Sequence, residues 1–280
     1  MRKKQIVVTI AVVAIMGYLY SLPVKGFLKP KENTQANAKM PAAKPKVTLS
    51  ADAVSAMARQ GLSTAQLQQI NVLENKLKSA NGTDKPALQK QLAEAWDNAN
   101  QAAPAGFNYL AIARESNAFA DWIAAGNRFN TAYKLTQDTS AQSTYIANAV
   151  EAFSHATQLQ PDNLEAKTGL GVAYVNGGAM PMQGIALLLD VVKKDPKNHE
   201  ALLNLGMFSM KSGQFEKAVE RFKTLIAQKE EVEPYFYLAE SYKQLGKKEE
   251  AIAAYERCKE LMGDPVAGQR IDEYIKELKK

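Results

Sequence analysis

His155 and His199 are the only histidines in the chain, and a metal centre built on either would need a second ligand on the same helix face or in a neighbouring loop. Neither has one at that spacing. Both fall at surface positions of helical stretches, so the sequence assigns no metal. Cys258, the single cysteine, would be a nucleophile only if nearby positive charge held it as the thiolate. It stands where the periodicity described below calls for a small core residue, which makes it a buried, inert thiol. The acid pairs Glu230-Glu231 and Glu249-Glu250 could divide general acid and base roles if a cleft pushed their pKa values apart. They lie in polar runs at helix ends, and Glu249 and Glu250 answer the dipole of a helix start. Gly177-Gly178 lacks the Lys and Ser/Thr of a phosphate loop and marks a turn. No catalytic, metal-binding or cofactor-binding residue emerges, and the chain is read as a protein without enzymatic activity.

Composition defines the elements that carry these residues. Of 280 residues 46% are apolar, Ala, Leu, Lys, Gln and Glu dominate, and β-branched alternating runs are scarce, so the fold class is all-α. The net charge of +6 suggests a polyanion until its distribution is read. Residues 1–47 hold nine Lys or Arg and one acid, a balance of +8, which leaves −2 for residues 48–280. The predicted folded part has no clustered basic face for phosphates, and nucleic acid is excluded as a partner.

The basic charge surrounds a membrane signal. Residues 1–5 form a short basic tail, and residues 6–22 form an apolar run of the length at which a helix begins to span a bilayer, about 17 to 20 residues. Tyr18 and Tyr20 suit the interface. No good small-x-small cleavage site follows, so the run is predicted to stay as a transmembrane anchor. Residues 23–47, with four prolines and six lysines, read as an extended linker holding the next domain about 25 to 30 Å from the membrane. Lys25, Lys29 and Lys31 follow the span and Arg2, Lys3 and Lys4 precede it, so charge alone does not set the orientation. The basic tail and apolar run together resemble an export signal, which places the N-terminus inside.

Residues 48–117 are an N-terminal helical region. One predicted helix runs from Thr64 to Lys78 with Leu67, Ile70, Leu73 and Leu77 on one face and Ser63 or Thr64 as its cap. Asn81-Gly82 turns the chain, and Asp84, Lys85 and Pro86 open a helix carrying Leu88, Leu92 and Trp96. A third spans about Ala105 to Ser116, and the segments that follow must cover the apolar faces of all three.

Residues 118–263 repeat a fixed order of large and small side chains. Leu202, Leu205, Gly206 and Ser209 precede Gly213, then Phe215, Ala218, Phe222 and Leu225. The same order runs through Leu170, Gly171, Tyr174, Gly184, Leu188, Val191 and Pro196, and through Tyr235, Leu238, Ala239, Tyr242, Gly246, Ala251, Tyr255 and Cys258. A first copy reads Trp122, Ala125, Gly126, Phe129, Ala149, Phe153, Ala156 and Pro161, with an extra loop expected around Gln137 to Ser143. Gly171 to Gly206 is 35 residues, Gly206 to Ala239 is 33, and Gly126 to Gly171 is 45. This pattern resembles the tetratricopeptide repeat (TPR), with Ser209 in place of the first-helix aromatic and Gly184 in place of the second-helix alanine. The resemblance implies a right-handed solenoid of antiparallel helix pairs in four repeats, closed by a capping helix over residues 264–280 in which Asp264 and Pro265 start the helix and Ile271, Ile275 and Leu278 face inward.

It also implies a concave, partner-binding face on the first helix of each pair. The positions that map there are Ile123, Asn127 and Asn130, then Thr168, Val172 and Asn176, then Leu203, Met207 and Met210, then Phe236, Glu240 and Lys243. Thr168, Gly169, Glu200 and Asn204 stand where a chaperone-binding subset of the family would place basic residues, so a carboxylate clamp is not expected. The expected function is a membrane-tethered scaffold that binds a protein or peptide in this groove, on a single-pass protein of the bacterial inner membrane with periplasmic repeats. The alternative is an apocytochrome-holding subunit of cytochrome c maturation, which the run Gly184 to Phe222, with its Lys-Asp-Pro-Lys-Asn junction, resembles.

Overall fold

The computed structural model of the chain describes residues 49–280; the predicted tail, anchor and linker over residues 1–47 lie outside the described residues. Thirteen α-helices and one short 3-10 turn, Arg59–Gly61, make up the described chain, with no strand among the described residues. The N-terminal helices are α1 (Ala51–Ala58), α2 (Thr64–Ser79), α3 (Lys85–Asn98) and α4 (Ala102–Ser116). Four antiparallel pairs follow: α5 (Phe119–Leu135) with α6 (Thr139–Leu159), α7 (Leu164–Gly177) with α8 (Pro181–Lys194), α9 (His199–Lys211) with α10 (Phe215–Gln228), and α11 (Val232–Gln244) with α12 (Lys248–Met262). α13 (Pro265–Leu278) closes the array. Among the described residues no helix is long and apolar enough to cross a membrane.

Local sequence sets the helix ends. Ser63 accepts from Gln66 N–H while Gln66 Oε1 accepts from Ser63 N–H at 2.9 Å, a reciprocal cap that starts α2. Asn163 and Asn198, each two residues after a proline, cap α7 and α9 by accepting from Ala166 and Ala201 N–H, both at 3.0 Å. Asp264 accepts from Val266 N–H at 2.9 Å and Pro265 occupies the first turn of α13, as the sequence indicates. Gly213 and Gly246 stop α9 and α11 with φ of 74° and 71°, values that a β-carbon disfavours.

The helix pairs close on small residues. A β-carbon on Gly171 would lie 2.9 Å from the Gly184 carbonyl and 2.9 Å from Leu188, so α7 and α8 approach backbone to backbone. Gly184, which departs from the expected alanine, is required by that approach. Phe153, wholly buried, packs against Gly126 of its own pair and Gly169 of the next, leaving no room for a methyl at either glycine. The large residues at the remaining repeat positions, Trp122, Phe129, Leu188, Leu205, Phe222, Leu238 and Tyr255, are all buried.

Three features differ from the sequence expectation. The extra residues between Gly126 and Gly171 form no loop around Gln137 to Ser143. They lengthen helices instead: α5 and α6 have 17 and 21 residues against 14 each in α7 and α8. The added turns of α6 bury Ala141, Thr144 and Tyr145, and Thr144 Oγ1 accepts from Leu49 N–H at 3.3 Å. Helix α1, too short for a periodic signal, lies on α4, with Val54 in the same core as Leu110 and Trp122, while Leu49 just before it reaches α6. Helix α4, expected from about Ala105, begins earlier, at Ala102, because Pro104 fits within a first turn.

Candidate partner-binding groove

Each first helix, α5, α7, α9 and α11, packs on its own second helix, and successive first helices also touch one another. Successive second helices α6, α8, α10 and α12 make at most marginal contact with one another. The first helices therefore crowd together while the second helices splay apart, and the first-helix side is the inner, concave face.

Side chains from separate repeats meet there. Asn127 Nδ2 on α5 donates to Glu165 Oε1 on α7 at 2.9 Å. Glu200, at the start of α9, feels the charges of Lys134 on α5, Glu165 on α7 and the adjacent His199, and its carboxyl is held above the usual range, chiefly by the surrounding protein. The residue remains open to solvent, as a group standing in a hollow does: protein atoms crowd it while water still reaches it. Glu165 and Glu200 occupy the same repeat position, 35 residues apart, a spacing that marks them in the sequence.

The twelve mapped positions divide into two groups. Ile123, Asn130, Thr168 and Val172 are buried and offer a partner no surface. Asn130 Nδ2 donates across to Gly169 O at 3.3 Å, and Val172 packs with Ala201, Leu205 and Phe208 of the next repeat. Gly126 and Gly169 let Phe153 of α6 fit between α5 and α7, and Gly171 lets α8 close on α7, so these positions in the first two repeats are enclosed by neighbouring helices. The other eight, Asn127, Asn176, Leu203, Met207, Met210, Phe236, Glu240 and Lys243, are half-buried. Leu203, Met207, Met210 and Phe236 rest against the core of the last two repeats, and the N-terminal helices pack instead on one another, α5 and α6. An apolar strip is left along α9 and α11 with one side supported and the other free.

Chemistry elsewhere stays structural. His199 Nε2 lies 2.8 Å from Glu231, His155 stacks on Trp122 at a centroid distance of 4.3 Å, and Cys258 is buried with Sγ 3.6 Å from Val232 O. Burial pushes the Cys258 thiol up, away from thiolate. Among the described residues no group of three or more His, Cys, Asp and Glu side chains could hold a metal. Ser209, the departure from the first-helix aromatic, has a structural partner: Arg221 Nη1 donates to its hydroxyl and to Leu205 O at 3.0 Å, so the Arg221 side chain fills the vacated space.

Tetratricopeptide-repeat family models match residues 187–220 and 232–265. The fold is similar to that of TTC0263, a thermophilic TPR protein in Thermus thermophilus, at 18% identity and a TM-score of 0.54, over 67% of this chain and 97% of that one. MamA protein aligns at 16% identity, TM-score 0.48, over 64% and 92% of the two chains. YrrB, described as a TPR protein with an unusual peptide-binding site, aligns at 15% identity, TM-score 0.46, over 72% and 97%. No curated protein matches the chain.

Proposed function

We propose that this chain, which carries tetratricopeptide repeats over residues 187–220 and 232–265, is a membrane-tethered scaffold whose concave face holds a protein or peptide partner. The observation that carries the reading is the strip of Leu203, Met207, Met210 and Phe236, half-buried on the inner side of α9 and α11. Long apolar side chains held at the floor of a concavity, and left half-open by the protein's own packing, gain stability from an external apolar anchor. Methionine adds adaptability, because its unbranched chain accommodates partners of different shape. The apolar run at residues 6–22 supplies the tether and the lysine-rich segment 23–47 the spacer, on the bacterial inner membrane with the repeats in the periplasm. No feature of the described residues favours an apocytochrome over any other polypeptide as the bound segment.

Photocrosslinking tests the surface. A photoreactive residue at Met207 in the full chain is expected to give a discrete crosslinked product in the membrane fraction, and one at Met182, on the outer α8 and 74% exposed, is expected to give none. Equal products from both positions would remove the concave face from its assigned role.

A further inference from the structure

The C-terminal end of the concave face contains three aromatic rings, one carboxylate and one ammonium group, brought together from three helices. Phe236 on α11 lies 6.1 Å from Tyr255 on α12 and 6.3 Å from Tyr274 on α13, and the two tyrosines are 5.6 Å apart between centroids. Tyr255 is fully buried, so the triangle is closed from below, while Phe236 and Tyr274 remain half-buried at its upper edge. The Tyr255 hydroxyl donates to Glu240, which fixes the carboxylate one helical turn beyond Phe236. Glu240 forms no ion pair with a cation among the described residues. Lys243 is likewise paired with no acid among them and places its ammonium 5.5 Å from the centre of the Tyr274 ring.

We infer that this end of the groove is a cation subsite, built to take an arginine or lysine side chain of the bound segment over Tyr274 and Phe236 with Glu240 as counter-charge, and that Lys243 is its resident stand-in. The inference rests on the reading of the concave face as the binding surface and adds the chemistry of one position on the partner. An aromatic face attracts a cation through its quadrupole, and the Lys243 contact shows that the Tyr274 face accepts one in this geometry. The planar guanidinium of arginine can stack on the ring and donate to Glu240 at the same time, which the tetrahedral lysine ammonium on its flexible stem does less well. Lys243 and Glu240 project from one face of α11, so an incoming cation replaces a like charge and adds none. Displacing Lys243 into solvent leaves no buried group unpaired.

The full chain in a non-ionic maltoside detergent, free of the quaternary ammonium that a choline headgroup would add, is titrated with Nα-acetyl-arginine amide and with its neutral isostere Nα-acetyl-citrulline amide. The readout is the NMR ring resonances of Phe236 and Tyr274. The arginine compound is expected to move both rings saturably and the citrulline compound is not. Lys243→Met, which removes the resident cation from a half-exposed site, should tighten the arginine compound about three- to ten-fold, and Glu240→Gln, which can still accept from Tyr255, should weaken it by a similar factor. Equal binding of the two compounds, or Lys243→Met without tightening, would overturn the subsite. If neither compound moves the rings while Met207 still crosslinks a partner, the subsite falls and the groove stands; if the arginine compound binds and Met207 crosslinks nothing, the subsite stands as an isolated cation site and the groove falls.

Discussion

A β-carbon on Gly206 would lie 2.5 Å from Cε1 of Phe222, so the third helix pair closes at a distance that only glycine permits. Phe222 is wholly buried between α9 and α11 and stacks on Tyr237 at 5.6 Å, which leaves the ring nowhere to retreat. Gly206→Leu should cost at least the 1 to 3 kcal/mol typical of overpacking, roughly 2 to 4 °C per kcal/mol in a domain of this size. Coupling between neighbours should spread the loss to adjacent pairs. Thermal unfolding checks it against Gly82→Ala, where a β-carbon meets nothing within 4 Å and no such loss is expected.

Why the repeats were legible and parts of the site were not follows from the same contacts. Gly126, Gly171, Gly206 and Ala239 each mark a helix crossing, and a crossing imposes the same small residue at each recurrence, so spacing alone located the pairs. The extra residues of the first pair carry no such mark, and a loop and added helical turns fit the same spacing. α6 became helix because Ala141 and Tyr145 continue the buried stripe of Ala149 and Phe153 toward its start. The family pattern marks groove positions one helix at a time, yet exposure depends on how closely the next helix approaches. Thr168 and Val172 are covered because Gly169 and Gly171 let neighbouring elements draw in, a relation between residues of different helices that no single-helix pattern displays. Tyr274 carries no groove signal in the sequence, because it reaches Phe236 only once α13 folds back.

Glu230 ties α11 to α12. Hydrogen bonds from Arg257 and from the Tyr235 hydroxyl hold its carboxyl down to about 2. A carboxyl depressed on folding contributes stability above its unfolded pKa, near 4.5, and loses it as pH falls from there toward 2. The group is exposed, so the effect is small. Glu230→Gln should melt slightly below wild type at pH 7, and the two curves should converge near about pH 2 to 3. A gap of constant size across that range would separate the Glu230 contribution from its charge.

Glu200 has the opposite sign. Its carboxyl is raised mainly by surrounding protein and secondarily by Glu165, so the ionised form is less favourable folded than unfolded. A raised folded pKa makes this contribution most favourable below about 4.5, and it declines as pH rises through the folded value. Glu200→Gln should therefore melt above wild type at about pH 7, with the advantage vanishing in acid. A variant less stable than wild type at neutral pH would mean that Lys134 outweighs the desolvation.

Topology can be read with fusions at Lys46. A reporter active only in the periplasm should be active there, and one active only in the cytoplasm should be silent. Deletion of residues 1–22 should release the remainder from the membrane fraction. A mature N-terminus near Leu22 in the wild-type protein would replace the anchor with a cleaved export signal.

The measurement that reaches the central claim most directly is made on one double variant, Met207→Ser with Met210→Ser, by following melting temperature together with the yield of partner captured per folded molecule. Both side chains are supported on one side only, so they should contribute more to binding than to folding. The account predicts a melting temperature lowered by no more than a few degrees and capture that is largely lost. A variant that unfolds cooperatively at a much lower temperature, yet captures partner at the wild-type level while folded, would place these methionines in the core and contradict the groove.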